Sequence, residues 1–101
     1  MATGFAVIYR WTVAEEHQEA FRSRWRKATI HLREHGSLGS LLTRDESGDF
    51  VAVALWPSEA AREAAFAAGS LDEPWPPVER FEETRLEIED DLWVSSPFAS
   101  S

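Results

Sequence analysis

FVAVALW, residues 50–56, is apolar at every position, and how it is read decides the fold. The run is short, rich in β-branched and aromatic residues, and followed by Pro57, which holds Trp56 extended. It therefore reads as a strand. Phe50, Ala52, Ala54 and Trp56 point to one side of it, and Val51, Val53 and Leu55 to the other. An antiparallel sheet with one side in water shows polar residues at every second position, and this strand shows none. The stretch FAVIYRWTV (5–13) reads the same way, with Phe5, Val7, Tyr9, Trp11 and Val13 on one face and Ala6, Ile8, Arg10 and Thr12 on the other. A sheet built from two such strands needs cover on both sides. Helices supply one layer. A second copy of the chain, sheet against sheet, is expected to supply the other, because a bare apolar face of that size is uncommon on a monomer.

Outward from these strands the other elements follow. Between residues 15 and 35 the period becomes helical: Phe21, Trp25, Ala28 and Leu32 form one stripe, Glu15 and Glu16 lie in the first turn, and Gly36 stands where a left-handed cap is wanted. LGSLLTR (38–44) reads as a strand joined to FVAVALW by the turn DESGD, which makes a hairpin. Ser58 suits the N-cap of the helix EAAREAAFAA, which Gly69 closes. SLDEPWPP (70–77) is a loop. VERFEETR (78–85) reads as one or two helical turns, with Pro77 at their first position. LEIEDDLWV (86–94) reads as the last strand, with Asp90 among the apolar residues of one face. The order β-α-β-β-α-β predicts an α+β, ferredoxin-like sandwich, with one domain over residues 1–94 and a C-terminal tail over 95–101.

Composition narrows the function. The chain has 101 residues, a formal net charge of −8 and no cysteine. The acidic balance repels nucleic acid and anionic membrane surfaces, so neither is expected as a partner. Without cysteine there is no disulfide, thiolate nucleophile or cysteine-based metal site. No signal peptide and no membrane span are visible in the sequence, and a cytoplasmic location is expected. An RNA-recognition module shares the element order, but its third strand should carry a basic residue, a glycine and stacking aromatics; DFVAVALW begins acidic and lacks the glycine.

HLREHG (31–36) places two histidines four apart. On a helix they share one edge, about 40° apart at about 100° per residue, while Glu34 lies towards solvent. Zinc helices of the H-E-x-x-H kind put glutamate directly after the first histidine, where this chain has Leu32. No metal is expected, and the motif reads as a helix end whose basic groups meet the last carbonyls. His31, on the border of the apolar stripe, remains open as an acid or base of a cleft. Arg10 sits mid-strand on an otherwise apolar face. It either pairs with an acidic residue of the last strand, such as Asp90, or holds an anionic ligand. The carboxylates of EIEDD (87–91) alternate between two faces and cannot converge on one cation.

Taken together, FAVIYRWTV, the helix with Phe21, Trp25 and Thr29, GSLGSLL (36–42), FVAVALWPS (50–58) and LEIEDDLWV resemble the antibiotic biosynthesis monooxygenase family over roughly residues 4–94. The resemblance implies a dimeric α+β barrel, formed by two ferredoxin-like sheets packed face to face. It also implies oxidation of a small aromatic or quinol-type substrate by molecular oxygen without metal, flavin or nicotinamide. Trp56 matches the family's tryptophan at the end of the third strand. On this reading His31 serves as base, Arg10 holds the anion, and Trp56, Trp25 and Tyr9 contact substrate. The family's asparagine four residues before that tryptophan is Ala52 here, and no histidine follows His35, a pattern that points away from haem degradation. The alternative is a non-catalytic homodimer of the same fold that binds a small molecule or another protein.

Overall fold

The computed structural model describes residues 4–69 and 71–99. The elements run β1 (Phe5–Thr12), a single 3-10 turn (Glu15–His17), α1 (Gln18–Arg33), β2 (Ser40–Arg44), β3 (Phe50–Trp56), α2 (Glu59–Ala67) and β4 (Arg80–Glu87). The strands form one antiparallel sheet in the order β2-β3-β1-β4. This is the expected α+β, ferredoxin-like arrangement.

Register puts the large residues of the central pair on one side. Phe5 lies opposite Trp56, Val7 opposite Ala54, Tyr9 opposite Ala52 and Trp11 opposite Phe50. The helices pack on this face. Ala65 of α2 joins Phe5, Val7, Ala54 and Trp56, while Phe21 of α1 joins Trp11, Val13, Phe50 and Ala52. Tyr9 borders both clusters. Phe21 is fully buried, and side chains of this size each stabilise a fold by about 1.5–3 kcal/mol through burial alone.

The helix ends follow their local chemistry. Ser58 Oγ accepts from the Ala61 amide at 3.0 Å, an N-cap bond. At the end of α1, Gly36 adopts φ +108°, and the Ser37 amide returns to the Leu32 carbonyl at 3.0 Å. Only a residue without Cβ takes that φ without strain, so Gly36 is what turns the chain from α1 towards β2.

The last strand departs from the sequence reading. Residues 78–85 are not helical, and the strand runs over Arg80–Glu87 instead of 86–94. The glutamates and arginines of RFEETRLE favour a helix in isolation, but tertiary context overrides propensity. The open edge of β1 accepts this segment along its whole length, from Phe5 opposite Glu87 to Thr12 opposite Arg80. Its charges suit an edge strand: Arg80 pairs with Glu82, and Arg85 with Glu83, each at 2.8 Å.

That shift also changes the partner of Arg10. Asp90 lies beyond the end of β4, near the Gly4 end of β1, where the Ile88 amide donates to the Gly4 carbonyl. Arg10 instead donates to the carboxylates of Asp45 and Asp49 in the β2–β3 turn. Thr12 Oγ1 donates to Asp49 at 2.9 Å. Asp45 also accepts from the Ser47 hydroxyl and from the backbone amides of Ser47 and Asp49. One carboxylate thus ties the hairpin turn to itself and to the centre of the sheet.

The face away from the helices carries Ala6, Ile8, Val51, Val53, Leu55, Leu41 and Leu86, as register requires. Arg10 and Thr12 of β1, and Arg80, Glu82 and Thr84 of β4, border this apolar centre. Residues Ile88 to Trp93 run beside Ala6, Val53 and Leu55, part of this apolar centre.

The Arg10 hydrogen bond holds the Asp45 carboxyl well below its ordinary value of 3.8. A carboxylate with a depressed folded-state pKa contributes stability above its unfolded pKa and loses it as the pH falls below that value. Asp45→Asn is therefore expected to be less stable than the parent at neutral pH, with the gap closing below pH 3.8. Urea denaturation across an acid pH series checks this; a gap that does not change with pH refutes it.

Candidate functional site

A cavity of about 370 Å³ opens between α1 and the helix-facing side of the sheet. Small residues make the room. Ala54 of β3 and Ala28 of α1 line it where larger side chains would close it. Its walls are aromatic: Tyr9, Trp11 and Phe81 from the sheet, Trp25 from α1, Trp56 at the end of β3 and Trp75 from the loop after α2. Tyr9 stacks on Trp11 at 5.5 Å, and Trp11 faces Trp75 at 6.3 Å. Such rings offer flat apolar surfaces suited to a planar ligand.

Four of the five residues singled out in the sequence meet here: Tyr9, Trp25, His31 and Trp56. Arg10 does not. It projects from the opposite face of β1 and is held by Asp45 and Asp49. Alternation along one strand separates Tyr9 from Arg10 by the thickness of the sheet.

Each lining group has a distinct environment. His31, in the last turn of α1, is half-buried, with Nε2 3.3 Å from the Gly69 carbonyl and its ring 4.8 Å from that of His35. Trp56 is buried, and its Nε1 has no hydrogen-bond partner among the described residues. The same holds for Ser40 Oγ, which stands opposite Ala54 on the neighbouring strand. Tyr9 accepts a hydrogen bond from Arg62 Nη2 at 2.8 Å, and the same nitrogen donates to Glu83 at 3.2 Å. Burial raises the Tyr9 phenol above its usual 10.0, and the Arg62 hydrogen bond opposes the rise. Tyr9 therefore keeps its proton at neutral pH. Its oxygen takes the Arg62 N–H, so its own O–H is left to donate elsewhere.

Three contributors were not legible in the sequence. Arg24, three residues after Phe21, is buried beside the aromatic wall, with its guanidinium 4.5 Å from the Trp75 ring. Arg62 is buried between Tyr9 and Phe66. Trp75, within PWPP, belongs to the loop. The weak signal for Arg24 was its place on the flank of the Phe21–Trp25 stripe. Nothing local marked Trp75, which reaches α1 only through tertiary folding.

A sequence model of the antibiotic biosynthesis monooxygenase family matches residues 4–71, which span β1 to the end of α2 and most of the cavity wall. The chain belongs to that family. No curated protein sequence matches it. Among solved structures, it is similar to SnoaB, a cofactor-independent oxygenase from Streptomyces nogalater, at 17% identity, with a TM-score of 0.69 over 90% of this chain and 98% of that one. It is similar also to MhuD, a heme degrader from Mycobacterium tuberculosis, at 21% identity, with a TM-score of 0.68 over 88% and 99% of the two chains. At these identities the shared property is the fold. Within the matched range Trp56 ends the third strand and lines the cavity, and Ala52 lies on the same face of that strand.

Tyr9 is the one tyrosine of the chain, so its ionisation can be followed directly. Its ultraviolet absorbance is expected to titrate above pH 10.0 while circular dichroism stays native. Arg62→Leu is expected to move the midpoint higher still, because it removes the hydrogen bond and charge that favour phenolate. A midpoint at or below that of free tyrosine in the folded protein contradicts the buried placement of this ring.

Proposed function

We propose that this protein is a cofactor-independent monooxygenase that oxidises a small aromatic or quinol-type substrate with molecular oxygen. The observation that carries the reading is the aromatic cavity, with a half-buried histidine, His31, at its border. The SnoaB similarity supports the same chemistry, since that protein is a cofactor-independent oxygenase. Trp56, Trp25 and Tyr9 contact the substrate rings. His31 takes a proton from an activated methylene flanked by phenolic rings. The resulting carbanion gives one electron to oxygen, and the radical pair combines to a peroxide. Loss of water then leaves a ketone. The methylene carbon has exchanged its two hydrogens for one oxygen atom, and the second oxygen atom leaves with those hydrogens as water. The apolar walls keep bulk water from the carbanion, and the Tyr9 O–H stabilises the developing oxygen anion. Arg10, on the far side of the sheet, takes no part.

Oxygen uptake with hydroxyanthrones, in the presence of a chelator, tests the reading. Turnover above that of a denatured control is expected, and His31→Ala should lower kcat by about 10²–10⁴-fold, the usual contribution of a positioned base. A second reading, a binding module without turnover, is favoured by the makeup of the cavity wall: among the described residues it holds His31 as its only histidine and no carboxylate. A ligand-induced rise in Tm with no oxygen uptake selects that reading instead.

The functional unit in this proposal is a homodimer joined through the sheet face that carries Ile8, Val51, Val53 and Leu55. These side chains lie on the side that the helices of the same chain leave uncovered. Sedimentation at micromolar concentration is expected to show a dimer, and Val53→Asp, at the centre of this face, to show a folded monomer. A parent protein that sediments as a monomer removes the dimer from the proposal.

A further inference from the structure

The guanidinium of Arg24 lies in the cavity wall, and only 5% of the residue is exposed. A buried guanidinium has five N–H donors to satisfy. Here Nε donates to the Glu73 carbonyl at 3.0 Å, and Nη1 is buried without a partner among the described residues. The guanidinium also lies against the Trp75 ring, 4.5 Å away. The carboxylate that pairs with it is that of Glu73, 3.9 Å from Nε, which is half-exposed and also pairs with Lys27 Nζ at 3.2 Å. One carboxylate thus serves two cations, and Nη1 of the buried one is left without a partner among the described residues. A buried cation with unused donors is costly unless something neutralises it.

We propose that Arg24 is the anion-binding residue of the cavity, and that the natural ligand is a planar aromatic carrying a carboxylate or phenolate. The anionic oxygens take the Nη edge of the guanidinium, and the ring extends along the wall formed by Trp75, Trp11 and Tyr9. A carboxylate matches that edge with two parallel hydrogen bonds, while Trp75 fixes the guanidinium plane from its face. The other unpartnered groups of the wall, Trp56 Nε1 and Ser40 Oγ, are neutral and donate to a carbonyl or hydroxyl oxygen whether or not the ligand is charged. Arg24 alone among these three distinguishes an acid from its amide. The assignment deepens the proposed function by naming the substrate class, and it rests on that reading only for the use of this cavity.

The test compares 2-naphthoate with 2-naphthamide, which match in shape and differ in charge, by calorimetry with the full chain. The naphthoate is expected to bind at least about tenfold more tightly, since hydrogen bonds between charged groups exceed neutral ones. Arg24→Met is expected to bring naphthoate down to the affinity of the amide and leave the amide unchanged. Arg24→Lys, which keeps the charge and loses the fork, is expected to lie between them. Equal affinity for the two ligands in the parent protein overturns the assignment, whether or not the variants fold. A preference that survives in Arg24→Met overturns it too. Absence of binding by either ligand removes the cavity reading together with the Arg24 assignment. A naphthoate preference without oxygen uptake on any phenolic substrate leaves Arg24 in place and removes only the oxidation.

Discussion

Burial of the β1–β3 pair beneath the helices is the constraint on which the rest of this molecule depends. Phe5, Val7, Tyr9 and Trp11 face Trp56, Ala54, Ala52 and Phe50 across the ladder. Large residues stand at the ends of β3 and alanines at its centre. The ends hold the helices, through Ala65 at one and Phe21 at the other. The centre cannot fill the space beneath α1 with methyl groups alone. The cavity is a consequence of that alternation of sizes, because close packing elsewhere keeps the helices from collapsing into the gap.

The same alternation separates the two faces by chemistry. On the helix side, tyrosine and tryptophans bring polar handles into an apolar space, and Arg62 and Arg24 come to meet them from the helices. On the other side, Arg10 and Thr12 bind the hairpin turn through Asp45 and Asp49. Tyr9 and Arg10 are neighbours in sequence and belong to different structures in space. One lines the cavity, and the other braces the scaffold that holds the cavity in shape.

Much of this was legible in the residues. The extents of β1, α1, the hairpin and α2, the Ser58 cap and the Gly36 exit follow from side-chain period and from conformational preferences acting over a few residues. The family resemblance implied that Tyr9, Trp25, His31 and Trp56 share one cleft, and the structure places all four in the cavity wall. RFEETRLE could not be read from its period. Its alternation is weak, its residues favour a helix, and only the open edge of β1 makes it a strand. The partners of Arg10 come from the β2–β3 turn, which strand alternation alone does not bring to it.

What the sequence determined by itself, then, was the set of local elements and the sidedness of each, since period and capping act through neighbours along the chain. The tertiary structure decided which distant groups meet. Arg24 reaches the Glu73 carbonyl across 49 positions of sequence, and Arg62 reaches Tyr9 across 53. Contacts of that kind are set by how helices seat on a twisted sheet, and no window of neighbouring residues encodes that seating.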